Sequence, residues 1–91
     1  MEKVKVQNMT GRTGREVPNQ FEIITDKGRY FQSYSTIIAF IPYGSGKTQL
    51  DEHSWDYSKT TGKYRNMFLR ETKKDTERKI ESGEYELTDL N

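Results

Sequence analysis

The sequence predicts an α+β fold in which a small, mainly antiparallel sheet of three to five strands packs against a C-terminal pair of short helices. Two observations predict this fold: strand-forming residues alternate with turn residues over positions 20–50, and apolar residues recur at helical spacing from position 57 onward. A length of 91 residues suits one compact unit. A single domain is therefore expected over residues 1–91.

The composition limits both the core and the possible sites. Only 31% of residues are hydrophobic, whereas 32% are charged, so the expected core is thin and depends on large aromatic side chains. With no cysteine, disulfides and thiolate zinc sites are excluded. The longest apolar run, residues 37–42, is too short to span a membrane, and residues 1–5 do not resemble a signal peptide. We expect no membrane association, no cofactor and a cytoplasmic location.

The N-terminal part carries the weakest structural signal. Residues 4–6 alternate in polarity, but residues 9–15 contain two glycines and no apolar period, which favours a loop. We interpret residues 1–18 as an arm that is partly mobile.

The sheet is predicted from residue 21 onward. Residues 21–25 and 29–34 are rich in strand formers and flank the turn residues 26–28, which predicts a hairpin. The apolar run 36–41 predicts a third strand that is buried on both faces and closed by Pro42. Residues 47–50 predict a short returning strand.

The segment 44–48, which connects the turn at residues 43–46 to this returning strand, contains Gly-Lys-Thr, as a phosphate-binding loop does. The first glycine of that motif would fall on Ile41, and the residues after Thr48 continue a strand instead of opening a helix. A hairpin turn is the favoured interpretation.

Two helices are predicted next. Tyr57, Thr61, Tyr64 and Phe68 form one apolar stripe of a helix of about three turns. The opposite stripe is polar and consists of Lys59, Lys63, Asn66 and Arg70. A capping box beginning at Thr72 and a glycine at position 83 predict a second helix over residues 73–82, with Lys73–Glu77 and Asp75–Lys79 ion pairs, before a strand or tail at 84–87.

Charge is segregated along the chain, and this is the main functional signal. Residues 59–79 carry a net charge of +5, and residues 80–91 carry −4. Lysines and arginines on a helix can neutralise phosphates, so this segment predicts contacts to nucleic acid. The candidate nucleic-acid-binding residues are Lys59, Lys63, Arg65, Asn66, Arg70 and Lys74.

Two alternatives stay open for this segment. A charged helix face can be merely solvated, and the acidic residues of the tail can fold back and neutralise it. Catalysis is not expected, because no serine or threonine has the sequence context of an activated nucleophile and a triad is hard to assemble with His53 as the single histidine. The acidic neighbours of His53 lack the ligand spacing of a calcium loop.

The segment Thr60–Leu69, with the pattern Thr-Thr-x-x-Tyr-Arg-Asn-x-Phe-Leu, resembles an uncharacterised family of small proteins encoded by bacteriophages and plasmids. The similarity runs from residue 18 to residue 85 and implies an origin in a mobile element. Within the pattern, Arg65 and Asn66 have no packing explanation; either can contact bases or bridge elements inside the fold.

The functional hypothesis from the sequence is a non-enzymatic nucleic-acid-binding accessory protein of a phage or plasmid. The alternative is a protein-binding modulator, such as an inhibitor of a host defence or replication enzyme, that acts through an aromatic or acidic surface. The expected partner is thus nucleic acid or a host protein.

Overall fold

A computed structural model describes residues 3–91 as five strands followed, in chain order, by two helices and a sixth strand of the same sheet. The strands are β1 (Lys5–Thr10), β2 (Glu16–Ile24), β3 (Gly28–Ser33), β4 (Thr36–Pro42), β5 (Gln49–Asp51) and β6 (Glu86–Thr88). The helices are α1 (Lys59–Leu69) and α2 (Lys73–Glu81). The strand order in space follows the order in sequence, and every pair is antiparallel except β5 and β6. The predicted α+β class is confirmed, with six strands instead of three to five.

The N-terminal residues extend the sheet. Strand β1 pairs with β2 from Lys5 to Thr10, so the loop predicted over residues 9–15 shrinks to residues 11–15. The turn is closed by the amide of Gly11, which donates to the carbonyl oxygen of Arg15 at 2.9 Å. Gly14 has a φ of 77°, which favours glycine. Residues 1 and 2 lie outside the described residues, and the mobility of the N-terminal segment stays a prediction.

The central strands form the predicted hairpin. The side-chain oxygen of Thr25 accepts the amides of Lys27 and Gly28 and fixes the turn between β2 and β3. Strand β4 has a bulge, because Phe31 pairs with Ala39 while Gln32 pairs with Ile37. Ile38 and Ala39 are consequently both buried in the core, whereas their neighbours on β4 are only half-buried, contrary to the expected burial of both strand faces.

The loop from residue 43 to 48 leads into β5, a strand and not a helix, so the geometry of a phosphate-binding loop is not formed there. Strand β6 lies parallel to β5 and closes that side of the sheet. The last residues are held by Asp51, whose carboxylate accepts the amide of Leu90 at 2.9 Å. Of the acidic residues of the tail, Glu86 lies in β6 at the sheet edge and Glu81 ends α2. Glu84 is the tail residue that approaches the basic segment, at 3.9 Å from the Lys79 ammonium group.

Helix α1 begins after Ser58, whose hydroxyl oxygen accepts the amide of Thr61 at 3.1 Å. It ends where Arg70 adopts a left-handed conformation with a φ of 57° and donates its amide to the carbonyl oxygen of Asn66. Tyr57 lies before the helix and is exposed, so the prediction that it joins the apolar stripe is wrong. The other three members of that stripe are buried.

Helix α2 has the predicted capping box, formed by Thr72 and Asp75, and Gly83 follows it with a φ of 80°. The predicted ion pairs within this helix are wrong, because tertiary partners compete for both lysines. Lys73 binds Asp56 at 2.7 Å and Lys79 binds Glu71 at 2.7 Å.

The core lies between the helices and one face of the sheet. Its buried apolar residues are Phe31, Ile38, Ala39, Leu50, Tyr64 and Phe68. Ile80 of α2 packs against the same cluster, so both helices cover one face. Overall extents of 35 × 35 × 20 Å agree with two layers. Within residues 3–91, neither helix has the length and apolar character needed to cross a bilayer.

Candidate nucleic-acid interface

An open depression lies where the start of α1 meets the start of α2. Its volume is ≈ 500 Å³. The lining residues are Asp56, Ser58, Lys59, Gly62, Lys63, Arg65, Asn66 and Lys73. Four of these side chains are basic and one is acidic, so the depression has an excess of positive charge.

Helix α1 supplies the first two lysines because residues four apart share a helix face. Lys59 and Lys63 are both exposed. The first turn of α1 contains no acidic residue, so the partial positive charge of the helix N-terminus adds to the lysine charges. Lys63 also lies over the ring of Tyr64, with its ammonium nitrogen 5.3 Å from the ring centroid.

The third exposed lysine, Lys73, comes from α2. Its ammonium nitrogen lies 2.7 Å from a carboxylate oxygen of Asp56, in the loop before α1. Burial alone would raise the pKa of Asp56, but hydrogen bonds from Lys73 and Arg65 outweigh burial and hold that pKa below its usual value. Asp56 is therefore ionised at neutral pH and anchors one side of the depression.

Arg65 lies beneath the depression and is only 1% exposed. Its guanidinium donates to the carbonyl oxygen of Trp55 at 2.7 Å, to Asp56 at 3.2 Å and to the side-chain oxygen of Asn66 at 3.0 Å. Its Nε atom is buried without a hydrogen-bond partner in the described part of the chain. The geometry gives Arg65 a bridging position inside the fold, which is one of the two roles left open by the sequence.

Asn66 is half-buried at the margin of the depression. Its side-chain oxygen accepts from Arg65, and this contact orients the amide so that its NH₂ group is the donor left for other partners. Asn66 is thus the polar member of the site that can add a directional hydrogen bond to the lysine charges.

The last two candidates lie elsewhere. Arg70 is exposed but lines a different depression. The other residues that line it include Glu16 and Glu22 of β2 and Arg29 of β3. Lys74 is exposed on the first turn of α2. The structure therefore groups Lys59, Lys63 and Asn66 in one depression, places Arg65 beneath them, and leaves Arg70 and Lys74 outside its lining.

Two charged lining residues were missed by sequence reasoning: Lys73 and Asp56. Lys73 follows the Thr72 cap directly, so its position at the start of α2 could be read from the sequence. Its partner could not, because Asp56 is 17 positions earlier and the two meet only through the packing of α2 against the loop.

The alternative sites considered from the sequence have little support in the described residues. His53 is exposed and lies 3.4 Å from Glu52, its neighbour in the chain. Among residues 3–91, no group of three or more potential ligands is arranged to hold a metal ion.

The comparison with protein families gives one match. A model described as a family of unknown function, DUF8033, covers residues 4–84. The chain belongs to this family. The DUF8033 match includes both helices and all of the depression, which agrees with the resemblance of this chain to an uncharacterised family. No curated protein and no solved structure matches the chain.

Proposed function

We propose that this DUF8033 protein is a non-enzymatic nucleic-acid-binding accessory protein of a phage or plasmid. The observation that carries the proposal is the convergence of Lys59, Lys63 and Lys73 on one depression at the start of α1. The two lysines of α1 and the one of α2 are exposed and lie beside a helix N-terminus without acidic residues. Such an arrangement attracts an anion with several negative charges, as a nucleic-acid backbone has.

Each residue has a defined part in this proposal. The three lysines neutralise backbone phosphates, and the side-chain amide of Asn66 donates to a phosphate or base edge. Arg65 acts as a positioning residue, because it holds Asn66 and the Trp55–Asp56 loop while it stays buried. Arg70 and Lys74, which lie outside the depression, extend the basic surface along the strand of nucleic acid.

The mobile-element part of the proposal rests on the resemblance carried by residues 60–69. A binding role is favoured over catalysis because the site consists of lysines and an amide, and its one carboxylate is held ionised by two cations. A carboxylate held in this way is a poor proton donor or acceptor at neutral pH.

The test is fluorescence anisotropy of labelled single- and double-stranded DNA and RNA at two salt concentrations. We expect salt-sensitive binding and a strong loss in the Lys59→Gln/Lys63→Gln/Lys73→Gln variant. If all three lysines contact duplex phosphates, the slope of log Kd against log salt should fall by about 2–3, since each contact contributes about 0.9.

The matched control is Lys5→Gln/Lys27→Gln/Lys47→Gln, which removes the same charge from exposed lysines of β1 and two loops. This control should retain most of the affinity. The proposal fails if the wild type binds none of the four nucleic acids at low salt. The site assignment fails if the two triple variants lose affinity equally.

A further inference from the structure

Three tyrosines are more than half exposed. The exposed fractions are 53% for Tyr34, 52% for Tyr43 and 55% for Tyr57. A tyrosine carries a large apolar ring with one polar end, and such a ring is usually packed against other groups in a folded protein. The positions of the three rings relative to the basic depression therefore matter.

Tyr57 lies at the margin of the depression. It is the residue between Asp56 and Ser58, which both line the depression. Consecutive Cα atoms are about 3.8 Å apart, so the backbone of Tyr57 belongs to the same wall. Lys59, the first residue of α1 and another lining residue, follows two positions later. An exposed ring thus adjoins an exposed ammonium group.

Tyr34 lies at the same end of the molecule, although it is far from Tyr57 in the sequence. It follows Ser33, the last residue of β3, whose hydroxyl oxygen lies 3.0 Å from that of Thr61. Thr61 is in the first turn of α1 and precedes Gly62, which lines the depression. The loop between β3 and β4 therefore lies beside the start of α1.

Tyr43 lies at the opposite end of β3. Its amide donates to the carbonyl oxygen of Lys27 at 3.0 Å, and Lys27 comes directly before β3. Tyr34 comes directly after that strand, and six residues of a strand span about 17 Å. Two exposed tyrosines therefore flank the start of α1, and the third is remote from it.

The backbone of Tyr34 does not favour an aromatic residue. Ser33 pairs with Thr36, so the loop has two residues, and Tyr34 has a φ of 56°. Glycine, asparagine and aspartate are the usual residues at such a position. The hydrogen bonds of Tyr34 are made by its backbone, which donates to Asn19 and accepts from Gln32, both at 2.7 Å. The fold thus gives no reason for an exposed ring here.

We infer that the basic depression binds single-stranded nucleic acid, DNA or RNA, and that unpaired bases stack on Tyr34 and Tyr57. The inference rests on the proposed function, because the lysines of the depression supply the phosphate contacts. A base stacks on an aromatic ring through its face, and in a duplex both faces are covered by the neighbouring base pairs. Exposed rings beside a phosphate site therefore select a strand whose bases are unpaired.

Charge and stacking favour different nucleic acids. Charge alone favours a duplex, because its two strands carry phosphates at a higher density than one strand does. Stacking favours the single strand by about fivefold or more for each base. The two contributions also differ in their salt dependence, since contacts to phosphates weaken as salt rises and contacts to bases depend on salt much less. Strand preference and salt dependence together separate them.

The test is fluorescence anisotropy of a labelled DNA strand of about 15 nucleotides, alone and annealed to its complement, at two salt concentrations. The wild type should bind the single strand more tightly. The Tyr34→Asn and Tyr57→Asn variants should each weaken this binding at least fivefold at both salt concentrations, and more than they weaken duplex binding. The loss in the triple lysine variant should instead shrink at high salt.

The matched control is Tyr43→Asn, which removes an equally exposed ring at the far end of β3 and should bind like the wild type. Thermal unfolding separates a lost contact from a lost fold. Tyr34→Asn should unfold at or above the temperature of the wild type, because asparagine tolerates the left-handed conformation better than tyrosine does.

The outcomes distinguish this inference from the proposed function. A duplex bound as tightly as the single strand, with binding that depends on the three lysines, overturns the inference and leaves the proposed function standing. A preference for the single strand that Tyr34→Asn, Tyr57→Asn and Tyr43→Asn reduce equally overturns the inference as well. Absence of binding to every DNA and RNA at low salt overturns the proposed function and this inference with it.

Discussion

The guanidinium of Arg65 lies 5.2 Å from the ring centroid of Trp55 and donates a 2.7 Å hydrogen bond to the carbonyl oxygen of the same residue. One buried cation thus holds both the side chain and the backbone of the loop that leads into α1. The same cation contacts Asp56, which in turn binds Lys73. The loop, α1 and α2 are joined through this chain of contacts, and together they form the candidate site.

Replacement of Arg65 by methionine should destabilise the protein by about 2–4 kcal/mol, because it leaves Asp56 and the Trp55 carbonyl without their buried donor. Urea unfolding followed by the fluorescence of Trp55, the single tryptophan, measures this loss. Lys63→Met is the control on an exposed site of the same helix and should change stability by less than about 0.5 kcal/mol. Equal stability of the two variants would show that Arg65 does not hold the loop.

Stability should decrease as the pH falls below about 4.5, and Glu71 should contribute to this loss. Burial would raise the pKa of Glu71, but hydrogen bonds from Lys79, Thr76 and Tyr85 hold it below its usual value of 4.5. A lowered pKa in the folded state stabilises the protein above pH 4.5, and this stabilisation is lost as the pH falls through the folded value.

The Glu71→Gln variant tests this contribution by urea unfolding at several pH values. It should lose about 1–3 kcal/mol at neutral pH and show a weaker dependence on pH below 4.5. The exposed Glu77→Gln variant is the control and should retain the behaviour of the wild type. An unchanged acid dependence in Glu71→Gln would contradict the prediction.

At alkaline pH, deprotonation of the Tyr85 phenol should lower the free energy of unfolding. Burial, the hydrogen bond to Glu71 and the charge of Glu71 raise its pKa to about 12 from an ordinary 10.0. The stabilisation is complete below pH 10 and is lost between pH 10 and about 12, because the unfolded chain releases the phenol proton first. An absorbance titration of tyrosinate should show a late step that Tyr85→Phe removes and Tyr43→Phe retains.

Two glycine-to-alanine substitutions should change stability in opposite directions. A Cβ atom at Gly28 would overlap the backbone of Ile41 and Pro42, so Gly28→Ala should cost about 1–3 kcal/mol. At Gly62 the nearest atom, Nη2 of Arg65, would be 3.6 Å away, an ordinary contact. Gly62→Ala should therefore stabilise α1 by about 0.5–1 kcal/mol. Thermal unfolding of the two variants measures both effects.

Local interactions explain why much of the fold could be predicted from the sequence. The central hairpin, both helices and the Thr72–Asp75 capping box depend on residues close together in the chain, and the structure contains all of them. Strand β1 was harder to predict, because its polar residues gain regular structure only by pairing with β2. The parallel pairing of β5 with β6 joins residues 37 positions apart and carries no local signal.

The candidate site depends partly on the sequence alone and partly on the tertiary structure. The sequence by itself determined that the segment from Lys59 to Lys79 is basic and helical, because charge and periodicity are local properties. Only the tertiary structure decided which basic residues meet. The left-handed turn at Arg70 ends α1, removes Arg70 from the predicted stripe, and lets α2 start where Lys73 reaches Asp56. The buried guanidinium of Arg65 then binds the Trp55 carbonyl and the Asp56 carboxylate, because a polar group inside the fold needs partners that water can no longer supply.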